Sequence, residues 1–163
     1  MIRELEKKDF EAVCEIVNRS WRTVYSGYVN PLLLDEKGCE KRKERLIGDF
    51  TSRRFSEYVY EENGEIAAMM SVGDTEDEDK EGAFEVWRLY VHPDFQGNGI
   101  GGRLIAFAEE QARLKGYSEI VIWAFKGNQK GVKFYQKQGY AINKEKFLEE
   151  PYLTWGVRLL KNL

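Results

Sequence analysis

The chain has 163 residues, 42% of them hydrophobic and 33% charged, which is enough for one domain with its own core. A net charge of −3 argues against non-specific nucleic-acid binding, and no apolar run approaches the roughly twenty residues that span a bilayer. One histidine and two cysteines leave little for a metal site or a His-led triad.

The opening "MIREL" reads as a short strand, and "MIRELEKKDF" has no apolar export core, so the expected compartment is the cytoplasm. Asp9 is placed as the N-cap of a helix with an apolar stripe through Phe10, Val13, Cys14, Val17, Trp21 and Val24. Cys14 on that stripe reads as a buried thiol. "YSGYVNP" breaks the helix at Gly27 and Pro31, and "DEKGCEKRKERLIGDF" follows as a second helix with one poor apolar face. "FSEYVYEENGEIAAMMSV" is strand, Asn63-Gly64 turn, strand. Residues 74–82, "DTEDEDKEG", form an acidic turn expected to be solvated, with steering of basic acceptors as the alternative.

"AFEVWRLYV" is a long strand, and "HPDFQGNGIGGRL" then packs four glycines into six positions before a helix that ends near Gly116. "SEIVIWAF" reads as a buried strand, "NQKGVKFYQKQ" as a short helix closed by Gly139, and "YAINKEKFL" and "YLTWGVRLL" as two last strands. The order β-α-α-β-β-β-α-β-α-β-β predicts an α/β protein whose mixed sheet has about seven strands flanked by helices. It is not the regular alternation of a doubly wound fold.

A strand entering a glycine-rich turn that opens a helix makes an anion site, because the first helical amides lack partners and glycine lets phosphate oxygens come close. Gly97, Gly99 and Gly102 also satisfy G-x-G-x-x-G. The acidic residue that a dinucleotide fold places about twenty positions on is missing after "EIVIWAF", which argues against a nucleotide-dependent oxidoreductase.

"LYVHPDFQGNGIGGRLI" closely resembles motif A of the GNAT superfamily of N-acetyltransferases, whose core is Q/R-x-x-G-x-G/A. Here it reads Gln96-Gly97-Asn98-Gly99-Ile100-Gly101. "NQKGVKFYQKQGY" resembles the family's motif B, through Asn128, Phe134, Tyr135, Gly139 and Tyr140. The resemblance implies the GNAT-like acyl-CoA N-acyltransferase fold as a single domain, with acetyl-CoA as co-substrate and no metal. It puts the amides of Gly97, Gly99, Ile100, Gly101 and Gly102 on the pyrophosphate, with Gln96 shaping the loop. Leu89 and Val91 would offer their backbones to the pantetheine arm, the Val91 amide would steady the thioester oxygen, and Asn128 would contact the cofactor.

Tyr135 occupies the position of the family's tyrosine acid, with packing on the sheet as its alternative role. Some family members carry a glutamate base six positions before the residue that matches Val91, and Glu85 stands there. Simple alternation puts Glu85 on one face with Trp87, Leu89 and Val91, unless a bulge intervenes. An ion pair or an ammonium anchor is the alternative to a base. The acceptor side is expected in "WRTVYSGYVNP" and "KFLEEPYL", where Trp21, Tyr25, Tyr28, Glu149 and Glu150 could meet a cationic amine. For Trp21 the core stripe competes with that role. Arg103 is open between a phosphate contact and an exposed helix position, and His92 reads as structural. The partner is thus an amine of a small molecule or peptide, without nucleic acid or membrane. A homodimer is compatible with the sequence. A non-catalytic acyl-CoA-binding sensor or regulatory module is the competing class. It would keep the glycine loop and lose the acid and base.

Overall fold

Period-3.6 and period-2 apolar spacing fold here as four helices and seven strands, and the computed structural model describes residues 1–163. In chain order they are β1 (Ile2–Glu4), α1 (Phe10–Val24), α2 (Glu36–Ser52), β2 (Ser56–Glu62), β3 (Glu65–Asp74) and β4 (Phe84–Val91). Then come α3 (Ile100–Leu114), β5 (Glu119–Phe125), α4 (Gln129–Lys137), β6 (Ala141–Leu148) and β7 (Thr154–Asn162). The expected order holds throughout.

The strands form one sheet in the order β1-β2-β3-β4-β5-β7-β6. All neighbours are antiparallel except β4 and β5, which are parallel. One face packs against α3 and α4 through Ala68, Met70, Val86, Leu104, Ile122 and Leu159. The other packs against α1 through Val13, Val17, Trp21, Val59 and Met69. Burying each such aliphatic side chain contributes about 1.5–3 kcal/mol. The β2–β3 turn uses Asn63 and Gly64 with φ of 53° and 84°, the double left-handed geometry that lets Asn-Gly close a hairpin.

Three expectations need correction. Asp9 is the N-cap residue of α1 as expected, but its side chain makes no capping bond. A short 3-10 turn, Lys7–Asp9, precedes the helix, and the Asp9 carboxylate accepts from Arg3 at 2.7 and 2.9 Å. The α1 stripe ends early: Val24 is exposed, and Ile16 is buried instead. The third concerns β4. Ser71 pairs with Arg88 and Val72 with Val86, so Trp87 is an extra, bulged residue. The bulge reverses the alternation. Glu85 therefore lies on the face opposite Phe84 and Val86, whereas Leu89 and Val91 pack on the α3 side.

Candidate active site

β4 and β5 pair only through residues 84–86 and 120–122, and beyond them the two strands part. The open stretch of β4 keeps its ladder to β3, where the His92 amide donates to the Ala67 carbonyl at 2.8 Å. Backbone groups alternate along a strand, so those of Leu89 and Val91 turn the other way, into the gap. The Val91 carbonyl agrees with that direction by accepting from Gln96 Nε2 at 3.3 Å.

At the mouth of the gap the glycine loop delivers α3. Gly97 and Gly99 have φ of 84° and 76°, which side chains rarely adopt, and Gly99 is the N-cap of the helix. The amides of residues 97–102 donate to no acceptor in the protein, and the first helical bond comes from the Arg103 amide. This run of donors at a helix N-terminus suits a diphosphate. Gln96 ties the loop to Val91 and accepts from Lys130 Nζ. Gly101 also serves the packing of the helices. A Cβ there would sit 3.1 Å from the Phe134 ring, so glycine lets α4 approach α3. Asn128 Oδ1 accepts from the Gly131 amide and caps α4. Arg103 is exposed and donates to the Tyr60 hydroxyl.

Tyr135, on α4, is half-buried. Burial and then the nearby Tyr90 phenol raise its pKa, so the proton stays on the oxygen. Tyr90 accepts from Trp21 Nε1 at 3.1 Å and lies beside Tyr25, whose hydroxyl is also held neutral by burial. A cluster of phenols thus borders the open part of β4.

Glu85 sits at the closed end of the gap and is 4% exposed. Burial pushes its pKa up to about 7, against a hydrogen bond from Thr75 that lowers it. Glu85 and Tyr135 share no hydrogen bond; the Glu85 carboxylate bonds Thr75 instead.

The acceptor-side aromatics come together around Phe125. Its ring centroid lies 5.5 Å from Trp21, 5.0 Å from Tyr25, 6.2 Å from Tyr28 and 5.8 Å from Tyr152. Trp21 belongs to the core, and its ring face already carries the chain's own Arg42 guanidinium at 4.4 Å. Tyr28 lies on the backbone of Gly127, where a Cβ would meet its ring at 2.6 Å, and its buried hydroxyl has no partner in the protein. Glu149 and Glu150 are exposed in the β6–β7 turn.

The acidic turn is not merely solvated. Asp77 and Asp79 accept from Arg158, a β7 side chain only 2% exposed, at 2.8 Å each. Trp123 Nε1 also donates to Asp77. Sequence reasoning missed Thr75, Tyr90, Phe125, Tyr152 and Arg158. Of these, Tyr90 carried a signal in "LYV" and Tyr152 in "KFLEEPYL". A wide groove lined by Arg3, Asp9, Glu61, Ile66, His92 and Phe95 lies elsewhere and includes neither Glu85 nor Tyr135. There His92 caps the short turn before the glycine loop, accepting from the Asp94 amide.

Residues 10–140 match the model of the Acetyltransferase (GNAT) family. The chain belongs to this family. It is an acetyl-CoA-dependent acyltransferase. Spermidine N(1)-acetyltransferase of Thermoplasma acidophilum is 28% identical over 142 residues, covering 86% of this chain and 88% of its own. The ribosomal-protein-alanine N-acetyltransferase structure from Brucella melitensis has a TM-score of 0.75 at 23% identity, over 100% of this chain and 99% of its own. The PaiA N-acetyltransferase of Thermoplasma acidophilum, solved in complex with coenzyme A, has a TM-score of 0.76 at 20% identity, over 100% and 98%. The mixed sheet with its parted β4 and β5 is thus the GNAT fold, and acetyl-CoA is the co-substrate.

Proposed function

We propose that this GNAT protein passes the acetyl group directly to a primary amine of a small molecule or peptide while both substrates are bound. The unengaged amides of residues 97–102, set beside the open edge of β4, are the observation that supports this reading best. When bound, acetyl-CoA supplies a thioester whose acyl carbon an amine can attack. The amides of Gly97, Gly99, Ile100, Gly101 and Gly102 hold the diphosphate, and Gln96 keeps the loop in shape. Leu89 and Val91 hydrogen-bond the amide-bearing arm as a neighbouring strand would, and the Val91 amide stabilises charge on the acyl oxygen. Asn128 fixes the start of α4 beside the same gap.

Two residues move protons. Glu85 accepts the amine's proton through water, as its burial requires, and near neutral pH it is partly ionised and ready to do so. Tyr135 keeps its proton until the sulfur leaves and then gives it up; a thiolate in the same dry space is destabilised too. Tyr25, Tyr28 and Glu150 wall the acceptor side, with Trp21 supporting Tyr25 from the core. The acceptor is an amine class of the kind that relatives' names describe, spermidine for one and a ribosomal-protein alanine for another.

Thiol release from acetyl-CoA, measured against polyamines, amino acids, aminoglycosides and short peptides, tests the reading. Release that depends on one class is expected. If coenzyme A binds but no amine raises the rate, a binding module replaces the enzyme. In the active pair, Tyr135→Phe should lower kcat by about a hundredfold and leave the KM for acetyl-CoA nearly unchanged. An unchanged kcat removes Tyr135 from the chemistry.

A further inference from the structure

The Glu85 carboxylate makes one hydrogen bond in the protein: Thr75 Oγ1 donates to its Oε2 at 2.7 Å. The Thr75 hydroxyl has a single hydrogen, and its oxygen in turn accepts from the Asp77 amide at 3.2 Å, so its direction is set. Oε1 has no protein partner and is not sealed from solvent, because the only buried unpartnered side-chain oxygen or nitrogen is the Tyr28 hydroxyl. One carboxylate oxygen is therefore occupied, and the other is unpaired and open to solvent. Thr75 is itself held in place. Two residues on, Asp77 is gripped by Arg158 and Trp123, and Arg158 also engages Asp79 and Asn143 Oδ1.

We propose that Thr75 is a positioning residue for Glu85, that the Arg158 clamp on the acidic turn holds Thr75 in register, and that together they present Glu85 Oε1 to the acceptor. This rests on the reading of Glu85 as the base. The turn is then a working wall of the site rather than a lure for cations, since Asp74, Glu76, Asp77 and Asp79 are engaged within the fold. Glu76 pairs with Arg54 at 2.8 Å, and Lys144 joins Arg158 on Asp79. The charged groups that bear on Glu85 are Asp77 and Glu76 from the turn and Arg158 from β7. Gly73 on β3 and Val121 on β5, its partners across the sheet, carry no charge. A hydroxyl donating to the carboxylate favours the ionised form.

The test follows the Glu85 carboxyl by carbon-13 NMR titration in the intact chain, with the signal assigned by its loss in Glu85→Gln. In Thr75→Val the titration should move up by about one unit, and in Thr75→Ser it should return. The acid limb of kcat/KM should move with it, giving about a tenfold loss at pH 6 and none at pH 9, with the KM for acetyl-CoA unchanged. A Thr75→Val titration that overlays wild type overturns the proposal. Glu85→Gln with the wild-type acid limb intact overturns the base reading instead, and the carboxyl titration still decides the role of Thr75. If Thr75→Val does not fold, Thr75→Ala carries the same comparison.

Discussion

The turn that enters β4 and the loop that leaves it are both polar, and they use their polar groups in opposite ways. In the entering turn, Thr75, Glu76, Asp77, Asp79 and Lys80 each bond or pair with a side chain elsewhere in the fold. In the leaving loop, the amides of residues 97–102 have no acceptor. A segment whose groups are satisfied within the fold holds its neighbours still, while one whose donors are left over is shaped for something outside the chain. Composition alone points the wrong way here, because the charged segment looks like the binding element and the nearly neutral one carries the free donors.

Breaking the leaving loop should have the largest effect. Gly99→Val forces a branched side chain into a left-handed backbone, and calorimetry should show coenzyme A affinity falling by roughly a hundredfold or more. Near-normal binding would mean that the phosphates sit elsewhere. Breaking the entering turn should instead cost stability. Arg158→Met removes the buried clamp, and urea unfolding should report a loss of about 2–4 kcal/mol with coenzyme A affinity nearly unchanged. A loss of affinity equal to that in Gly99→Val would erase the contrast between the two segments.

Glu85→Gln sharpens the contrast through pH. The Glu85 pKa is raised from an ordinary 4.5 to about 7, so its stabilising contribution is full below pH 4.5 and is lost as pH rises through 7. Above that point the buried charge is a burden on the order of 3 kcal/mol. Thermal melts should therefore find Glu85→Gln more stable than wild type at pH 8 and similar at pH 4.5, with activity depressed. A variant less stable at pH 8 would show that the charge is better compensated than the single Thr75 bond suggests. Asp79→Asn should have the smallest effect. Hydrogen bonds from Arg158 and Lys144 hold the Asp79 carboxyl below the usual range, so its contribution is present above that range and lost as pH falls through its own pKa. Wild type should lead the variant slightly at neutral pH and lose that lead in acid.

Much of the fold is legible in the sequence, for reasons that can be located. Asn63-Gly64, the α3 stripe and Gly139 each signal an element by local chemistry, and the element order follows from them. The glycine loop is legible because four close glycines exclude an ordinary turn. Glu85 stands out by its spacing from Val91, but its face does not, because one extra residue at Trp87 reverses the alternation and nothing around Trp87 announces it. Arg158 is invisible for a different reason. Its partners Asp77 and Asp79 lie about eighty positions away, and a charge inside "YLTWGVRLL" reads as an exposed residue until the pairing is known. Trp21 and Tyr25 are expected near the acceptor side, whereas Phe125, the ring they gather around, reads as ordinary strand filling.

The parting of β4 from β5 divides the sheet into two leaves, β1 to β4 on one side and β5, β7 and β6 on the other, stitched by three register pairs at one end. Whatever lies along the free edge of β4 lengthens that seam. Placed there as proposed, a bound co-substrate would be a structural member as well as a reagent, and hydrogen exchange in both leaves should slow together on its arrival. On the proposed placement, the stiffness of the site would be lent by the molecule about to be consumed and lost again when the product leaves.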